Sequence, residues 1–508
     1  MSLRILLKND DLKNRFAVIE SRATDFLRFW QTHAPHYTDH GKAHCEAVEG
    51  CLNELIPDTV KTGLNQCELF TLLCSVFLHD IGMMNKKNGE TDETVRNTHH
   101  DRCVEVIMTK FEDSLSRAER VVLADVCRAH RLVDLSTLDE VRVVHHPELG
   151  NQKIRIQFLA SLLRVADACD MCLTRSNPLM DISALVDEAR FFHSLHNRVS
   201  GISFLADQAT IDVHMLVSDE LDKLLLSEYV VDGLRSELGS ASRILAKNGV
   251  YLFFVNAIFS QSPTPLPKIE ITPEITKELQ ARLRQEIQTL LKKDPTLAVD
   301  ACHKMRLAGG TIPHFIIEQV SRAFESRGDF ESSVKTLKEF IDKEPGALSN
   351  LYVLNHIAHV IGEFLYDMQA SCNYFEKCYE LQPDDNGSLN YAEALITIGK
   401  YDKAYDIASK VYNKPPERTA HLINALLIQI SSLYFMDQKQ KAFELVKTLV
   451  GMMPGDFYKS NIWVYNKIRR VICGSKLEDP VKNKLLGLID VIMGKKSVDE
   501  FRKAHDIT

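Results

Sequence analysis

The sequence predicts a mainly α protein: a helical bundle with a small β element, followed by an α-solenoid of helical pairs. Two observations support this fold class. Apolar residues recur at the i, i+3, i+4 spacing of helices through most of the first 260 residues. The second half repeats a glycine, an aromatic residue, a helical stretch and a proline. A chain of 508 residues is also long enough for more than one domain.

The N-terminal periodicity predicts a series of helices interrupted by two short β-like stretches. The helices cover about 10–32, 40–56, 66–81, 98–112, 116–131, 151–174 and 219–247. Residues 199–205 and 209–215 are typical of a hairpin, and 250–259 of a further strand. This part is therefore expected to be a helical domain with a small sheet.

A proline-rich segment, SQSPTPLP at 260–267, marks the main boundary, because alternating prolines prevent regular structure. Thr272 and Pro273 then have the pattern of an N-cap and a first helical residue. We expect a first domain over 1–260, a linker with connecting helices over 261–311, and a repeat domain over 312–508.

The repeat domain is indicated by prolines that recur at intervals of roughly 32 to 39 residues: Pro345, Pro383, Pro415 and Pro454. One copy, YAEALITIGKYDKA at 391–404, resembles the tetratricopeptide family. That resemblance implies stacked helical pairs with a groove for a protein partner or for self-association.

Composition argues against several classes of function. The net charge of −8 and a pI near 6.2 disfavour binding to bulk double-stranded nucleic acid or to an anionic membrane. No uninterrupted apolar run reaches the roughly 18 residues of a membrane span, and the apolar start is too short for a signal peptide. We expect a cytoplasmic chain with reduced cysteines.

Metal-capable side chains are concentrated in the predicted helices before residue 175. The apolar run LFTLLCSVFL at 69–78 ends in His79 and Asp80, which are costly to bury without partners. A lone buried histidine is more often hydrogen-bonded than ligating, but so many together favour a shared cation. The groups are His40 with His44, His79 with Asp80, His99 with His100, His130, and Asp167 with Asp170.

The order H…HD…D resembles the HD-domain metal-dependent phosphohydrolase superfamily, over roughly residues 25–215. The resemblance implies four metal ligands and one or two divalent ions, which would be Mn, Mg, Fe, Zn, Co or Ni. The four ligands would be His44, His79, Asp80 and Asp167.

Three further histidines receive roles from the same resemblance. The segment YTDHGKAHCEAV at 37–48 is similar to the H-N-x-x-H element of cyclic-nucleotide phosphodiesterases, which implies that His40 is the general acid. His100 and His130 fall where binuclear members place extra histidines. The chain departs from the group that hydrolyses cyclic di-GMP, because His130 stands alone and no G-Y-P follows it.

Cations are needed beside a phosphate, and four candidates lie near these motifs: Lys42, Arg102, Arg131 and Arg164. The competing interpretation of each is an exposed helix residue. Glu46, Asp101 and Asp170 are candidates to orient the histidines.

The expected function is hydrolysis of a nucleotide, with a deoxynucleoside triphosphate or a related nucleotide as the leading substrate. One alternative is a phosphodiesterase of cyclic or oligonucleotides. An alternative of another class is a non-catalytic scaffold that senses a nucleotide. The opening Y-T-x-H-G-x-x-H is also similar to a bacterial HD subgroup of conflict systems, which implies a role in antiviral defence, and a nucleotide activator is a further expected partner.

Overall fold

The computed structural model describes residues 1–28, 40–84, 86–87, 89–171, 187–344, 346–414, 419–453 and 463–507. Over these residues the protein is mainly α with two small sheets, so the predicted fold class is confirmed. The chain forms two compact units, Met1–Leu279 and Gln280–Thr508.

Eleven α-helices and five strands lie wholly within unit 1 among its described residues. The helices are α1 Leu3–Leu6, α2 Asp10–Leu27, α3 Lys42–Leu55, α4 Asp58–Lys61, α5 Gln66–Leu78, α6 Asp92–Lys110, α7 Arg117–Arg128, α8 Ile156–Cys169, α9 Asp187–His196, α10 Glu220–Leu226 and α11 Asp232–Lys247. The strands are β1 Arg142–His146, β2 Gly150–Ile154, β3 Val199–Leu205, β4 Thr210–Val217 and β5 Phe254–Gln261.

Helix α5 is the core of unit 1. It begins at a capping box, in which the Asn65 side chain accepts from the Glu68 N–H and the Glu68 carboxylate accepts from the Asn65 N–H. Every residue from Cys67 to Leu78 is buried, and α2, α3, α7 and α8 pack around the helix. The stretch Gln66–Met84 is long and apolar enough to cross a membrane, but it is 94% buried, as a core helix is.

The first sheet corrects the predicted helix over 151–174. Residues Gly150–Ile154 form β2, which pairs antiparallel with β1, and α8 begins only at Ile156. Gly150 has φ +69°, which glycine adopts without strain and which the tight turn requires. The His146 ring accepts from the Leu149 N–H and fixes the same turn.

The second sheet has the order β3-β4-β5. Strands β3 and β4 pair antiparallel and form the hairpin that the sequence predicts, while β5 pairs parallel with β4. The predicted strand over 250–259 is observed as Phe254–Gln261.

Helix α12, Pro273–Lys293, begins where the sequence predicts a helix start and continues into unit 2. The remaining helices are α13 Ala298–Leu307, α14 His314–Ser326, α15 Phe330–Lys343, α16 Leu351–Val360, α17 Met368–Leu381, α18 Asp385–Thr397, α19 Tyr401–Tyr412, α20 Thr419–Phe435, α21 Lys439–Met452, α22 Asn466–Gly474, α23 Asp479–Ile492 and α24 Val498–Ala504.

Neighbouring helices of unit 2 pack in pairs, α14 on α15, α16 on α17, α18 on α19 and α20 on α21. Such pairing is consistent with helical repeats. Of the four spaced prolines, Pro383 lies between α17 and α18, and the other three fall outside the described residues. The assignment to the tetratricopeptide family stays a prediction.

Candidate metal centre

Helix α5 ends at the first metal-capable side chains. His79 is the C-cap residue, and Asp80 precedes a 3-10 turn, Ile81–Met84. Both side chains are buried, and Asp80 is only 3% exposed. The neighbouring helices bring further groups to the same point: His44 on α3, His99 on α6, His130 after α7 and Asp167 on α8.

The first group of ligand atoms comes from His44, His79 and Asp167, which lie within 4.8 Å of one another. The Nε2 atoms of His44 and His79 are 3.1 Å apart. They lie 3.3 and 3.6 Å from Oδ1 of Asp167. Oδ2 of Asp80 is 3.4 Å from both Nε2 atoms, so all four ligands implied by the HD resemblance converge here.

The second group uses the other oxygen of Asp80. Oδ1 lies 3.2 Å from Nε2 of His99 and 3.6 Å from Nε2 of His130. The two Nε2 atoms are 2.9 Å apart. Asp80 therefore stands between two sets of donors, which is an arrangement suited to two ions that share one carboxylate.

The orientation of the rings tests whether these residues fit a cation. In all four histidines Nδ1 faces an oxygen acceptor, so the hydrogen-bond network assigns the proton to Nδ1 and leaves a lone pair on each Nε2. In the neutral form of the rings, these lone pairs face each other in two close pairs. Each pair therefore needs a cation between its nitrogens or a proton, and the raised pKa of His79 favours a proton in the first pair. The donors fit a divalent transition metal. The acceptors are Oδ2 of Asp170 for His44, and the carbonyl oxygens of Val76 for His79, Arg96 for His99 and Cys127 for His130.

The acids of the cluster are held in their charged form. Burial alone would raise the pKa of Asp80, but His79 and His40 outweigh it and hold the pKa well below its usual range. Burial likewise opposes ionisation of Asp167, and its contacts with His44 and His79 hold its pKa well below the usual range. Asp80, which is buried, and Asp167, which is partly buried, thus both need a nearby positive charge.

The pKa values of His79 and His130 are shifted in opposite directions. Burial would lower the pKa of His79, but the carboxylates of Asp80 and Asp167 outweigh it and raise the pKa to about 9. The pKa of His130 lies well below its ordinary value because of burial and of the neighbouring rings of His99 and His79. His130 therefore keeps the neutral form that a metal ligand needs.

A cavity of about 310 Å³ adjoins the two groups, and Asp80, His99, His130 and Asp167 contribute to its lining. His40 also lines the cavity, with Nδ1 2.6 Å from Oδ2 of Asp80. Because a carboxylate only accepts, Nδ1 carries the proton, and Nε2 is the nitrogen able to exchange a proton with a substrate.

His100 is not among the clustered groups, although the HD resemblance implies that it is one of the extra histidines of binuclear members. Its Nε2 is 3.6 Å from Oδ2 of Asp101, and burial lowers its pKa. Asp101 accepts from the Arg128 guanidinium at 2.7 Å. The histidine that α6 contributes is His99.

The predicted phosphate-binding cations have different surroundings. Arg131 and Arg164 line the cavity. Arg164 donates to the carbonyl oxygens of Ala129, at 2.9 and 2.6 Å, and Val133, at 2.5 Å. It therefore braces the segment that carries His130.

The other two predicted cations, Lys42 and Arg102, do not line the cavity and form ion pairs with glutamates. Lys42 pairs with Glu46 at 3.3 Å, and both side chains are exposed. Arg102 donates to both carboxylate oxygens of Glu90, at 2.9 and 2.7 Å.

Several residues of the cavity lining receive no role from the sequence, and His99 and Arg96 are the two that bear on the chemistry. His99 could have been found from the buried stripe of α6, because Val95, Cys103 and Ile107 recur every four residues and His99 is in line with them. Arg96 also lines the cavity, with its guanidinium 5.5 Å from the Phe192 ring. Helix α9, which brings Phe192, carries no motif that marks it.

Comparison with known proteins supports an HD-like domain. Residues 34–239, which contain the whole cluster, match the model of the HD-CE family. No curated protein matches the chain. A solved structure described as "MamA RS-1 ArsTM double mutant" aligns over 38% of this chain and 95% of its own, at 18% identity. Its TM-score of 0.26 is too low to indicate a shared fold.

The family match and the buried His/Asp groups define the class of the N-terminal part. It is an HD-like domain whose ligand set fits a metal-dependent hydrolase.

Proposed function

We propose that unit 1 hydrolyses a phosphate ester or anhydride of a nucleotide, with a deoxynucleoside triphosphate or a related nucleotide as the leading substrate. The observation that carries this proposal is the sharing of Asp80 between two donor groups beside a cavity that Arg96 and Arg131 line. The cavity is lined both by side chains that can hold cations and by guanidinium groups. This combination suits an anionic phosphoryl group.

The residues present have separate parts in this chemistry. His44, His79, Asp80 and Asp167 would hold one cation, and Asp80, His99 and His130 a second. A divalent ion bound there supplies Lewis-acid polarisation and acidifies water. Arg131 and Arg96 would bind the non-bridging oxygens, since a guanidinium binds them bidentately. His40, held by Asp80, would donate a proton to the leaving oxygen.

A phosphodiesterase is the second candidate, and the position of His40 favours it. A proton donor matters most for an alkoxide leaving group, which a phosphodiester releases and a phosphoanhydride does not. Product analysis separates the two: tri-, pyro- or orthophosphate indicates the first candidate, and ring opening or shortened oligonucleotides the second.

The candidate of another class is a scaffold that binds a nucleotide without cleaving it. Nucleotide binding by a protein that retains its metal, without turnover of any compound, would favour the scaffold.

The experiment is a metal analysis combined with a chromatographic cleavage panel in Mn²⁺ or Mg²⁺. The panel holds nucleoside and deoxynucleoside triphosphates, monophosphates, cyclic nucleotides and short oligonucleotides. We compare the full chain with His79→Ala and with His145→Ala, an exposed histidine on β1. We expect cleavage in the wild type and in His145→Ala, and loss in His79→Ala. Equal cleavage by all three proteins would contradict the proposal.

The helical pairs of unit 2 would regulate or assemble the enzyme, through a protein partner or a second copy, in a cytoplasmic defence or signalling role. A chain that ends at about residue 265 tests this. Unchanged activity, regulation and oligomeric state would exclude it.

A further inference from the structure

The guanidinium group of Arg164 is used within the protein, although the residue contributes to the cavity lining. The side chain is 4% exposed. Nε and Nη2 both donate to the carbonyl oxygen of Ala129, Nη2 also donates to that of Val133, and Nη1 donates to the hydroxyl of Ser240. These bonds occupy four of the five N–H groups of the guanidinium. The sequence predicts a phosphate-binding role for Arg164, but its contacts point to a different one.

The two carbonyl groups that Arg164 contacts lie on either side of His130 in the chain. Helix α7 ends at Arg128 and Ala129 is its C-cap residue, so the Ala129 carbonyl oxygen has no partner within the helix. Ala129 is fully buried, and a buried carbonyl group without a donor is costly. Arg164 supplies that donor. It thereby fixes the main chain one residue before His130 and three residues after it.

The turn that follows His130 has a strained main-chain conformation. Leu132 has φ +56°, a value that is rare for residues other than glycine and an outlier for a bulky one. The Val133 N–H donates to the carbonyl oxygen of Arg131 at 2.6 Å, which is the hydrogen bond of a γ-turn, and γ-turns with positive φ are rare and strained. Leu132 is 78% exposed, so burial of its side chain does not offset the strain. A strained turn persists where the surrounding contacts impose it, and the hydrogen bond from Arg164 to Val133 is such a contact.

Helix α8 connects this turn with the first donor group. It carries Asp167, which belongs to the first group, and Arg164 three residues earlier. Residues three apart lie on one face of a helix. One helix therefore supplies a donor to the first group and holds the segment that supplies His130 to the second.

We propose that Arg164, together with the strained turn at Leu132, positions His130 for the second donor group. Nε2 of His130 lies 2.9 Å from Nε2 of His99 and 3.6 Å from Oδ1 of Asp80, and the hydrogen bonds of Arg164 on both sides of His130 hold it there. Arg164 is thus a positioning residue and not a cation that binds the substrate. The inference rests on the proposed function only in that His130 would bind the second cation.

The test is titration of the full chain with Mn²⁺, with free Mn²⁺ measured by electron paramagnetic resonance. We expect the wild type to bind two equivalents. Arg164→Met is expected to bind the first as the wild type does and the second at least about tenfold more weakly, as is typical when a residue that supports a ligand is lost. A purely stabilising role would lower the free energy of unfolding but leave both affinities of the folded protein unchanged.

Arg235→Met is the matched control. Arg235, on α11, likewise donates through its guanidinium group to a main-chain carbonyl oxygen, that of Val255 on β5. The variant loses the same kind of contact in the same unit and is expected to bind both ions as the wild type does. Urea denaturation of each variant verifies that the titrated protein is folded.

Leu132 provides a second pair of variants that leaves Arg164 in place. Leu132→Gly is expected to bind both ions as the wild type does, because glycine adopts positive φ without strain. Leu132→Ile keeps the size of the side chain, but a β-branched residue disfavours positive φ more strongly, so the second ion is expected to bind several-fold more weakly. Neither variant loses a buried side chain, and this pair decides if Arg164→Met fails to fold.

Hydrogen exchange of the metal-free proteins measures the turn without any ion. Arg164→Met is expected to accelerate exchange of the main-chain amides over residues 129–133 and to leave α3 unchanged, because the loss of its hydrogen bonds opens this segment locally.

The proposal is overturned by any one of four results. These are equally tight binding of the second ion by Arg164→Met and the wild type, equal affinities of Leu132→Gly and Leu132→Ile for that ion, unchanged exchange over residues 129–133, or fewer than two equivalents in the wild type. Two bound ions without cleavage of any nucleotide would contradict the proposed function alone, and the comparison of the variants would still decide the role of Arg164.

Discussion

The two carboxylate oxygens of Asp80 face different histidines. Oδ2 lies 3.4 Å from Nε2 of His44 and of His79, and Oδ1 lies 3.2 Å from Nε2 of His99. A single charge therefore serves both donor groups. Removing the charge of Asp80 should therefore weaken cation binding by both donor groups. The loss of one histidine should weaken binding by only one of them.

Asp80→Asn is accordingly expected to lower the apparent affinity for divalent metal by at least roughly 100-fold at both positions, because the amide keeps the size of the side chain and loses its charge. The measurement is metal content per protein after dialysis against a weak chelator. Retention of one full equivalent would show that the two groups do not share this carboxylate.

The adjacent histidines of α6 provide a sharper comparison. His99 lies in the second group and His100 beside Asp101, so the two substitutions change the same chemistry at neighbouring positions. His99→Ala is expected to lose one metal equivalent and to keep the other. His100→Ala is expected to keep both. The reverse order, measured by elemental analysis of the folded proteins, would contradict the site described here.

The sequence predicts four of the converging side chains because they occur in an ordered pattern along the chain. It selects His100 over His99 only by position within a motif. The rotation of α6 about its own axis decides which of the two adjacent histidines faces the cluster. The buried residues Val95, Cys103 and Ile107 indicate that rotation, and His99 lies on the same face. Arg96 and Phe192 join the cavity through tertiary packing, which local patterns do not encode.

At the level of elements, the approach of α6 to the turn Ile81–Met84 sets the position of His99. Gly82 permits it: a Cβ there would lie 2.1 Å from the carbonyl oxygen of His99 and 2.7 Å from the main-chain nitrogen of Cys103. Both of these are main-chain atoms, so the helix itself would have to move.

Gly82→Ala is therefore expected to lower the free energy of unfolding by about 1–3 kcal/mol and to weaken metal binding through His99. Gly50→Ala is the matched control, because Gly50 lies within α3 and a Cβ there meets no atom within 4 Å. It is expected to stabilise by about 0.5–1 kcal/mol. Urea denaturation and metal titration measure both effects. Equal behaviour of the two variants would refute this role of Gly82.

The hairpin β1–β2 shows where element prediction fails. The sequence predicts a helix that starts at residue 151, because Ile154 and Ile156 continue the apolar pattern of α8. Strand β2 exists through its pairing with β1, for example Gln152 opposite Val144. A five-residue strand has too few alternating positions to outweigh a neighbouring helix pattern.

At the scale of the whole molecule, each unit buries charge in its own way. The candidate metal centre in unit 1 contains carboxylates whose charge a cation would neutralise. Unit 2 buries Lys467 against Glu363 and Glu393, with its ammonium 4.9 Å from the Phe375 ring. These partners are far apart in the sequence, so the helical period predicts the helices but not this network.

Burial places the pKa of Glu363 in the neutral range. It raises the pKa of Glu363 to about 7, against an ordinary value of 4.5, even though Lys467 opposes the shift. The pKa of Glu393 is also raised by burial, while that of His359 is lowered to about 3. Because the folded state binds the proton of Glu363 more tightly than the unfolded chain, its stabilising contribution is present below pH 4.5. That contribution is lost as the pH rises through 7.

Glu363→Gln is expected to remove this pH dependence, since its amide is neutral throughout. The difference in free energy of unfolding, variant minus wild type, should increase by an amount on the order of 3 kcal/mol between pH 4.5 and pH 8, whatever its constant offset. The chain has two tryptophans, so Trp30→Phe in both proteins leaves Trp463 of unit 2 as the fluorescent reporter of urea unfolding. Parallel stability curves would mean that Glu363 stays ionised in the folded state and that Lys467 compensates its charge fully.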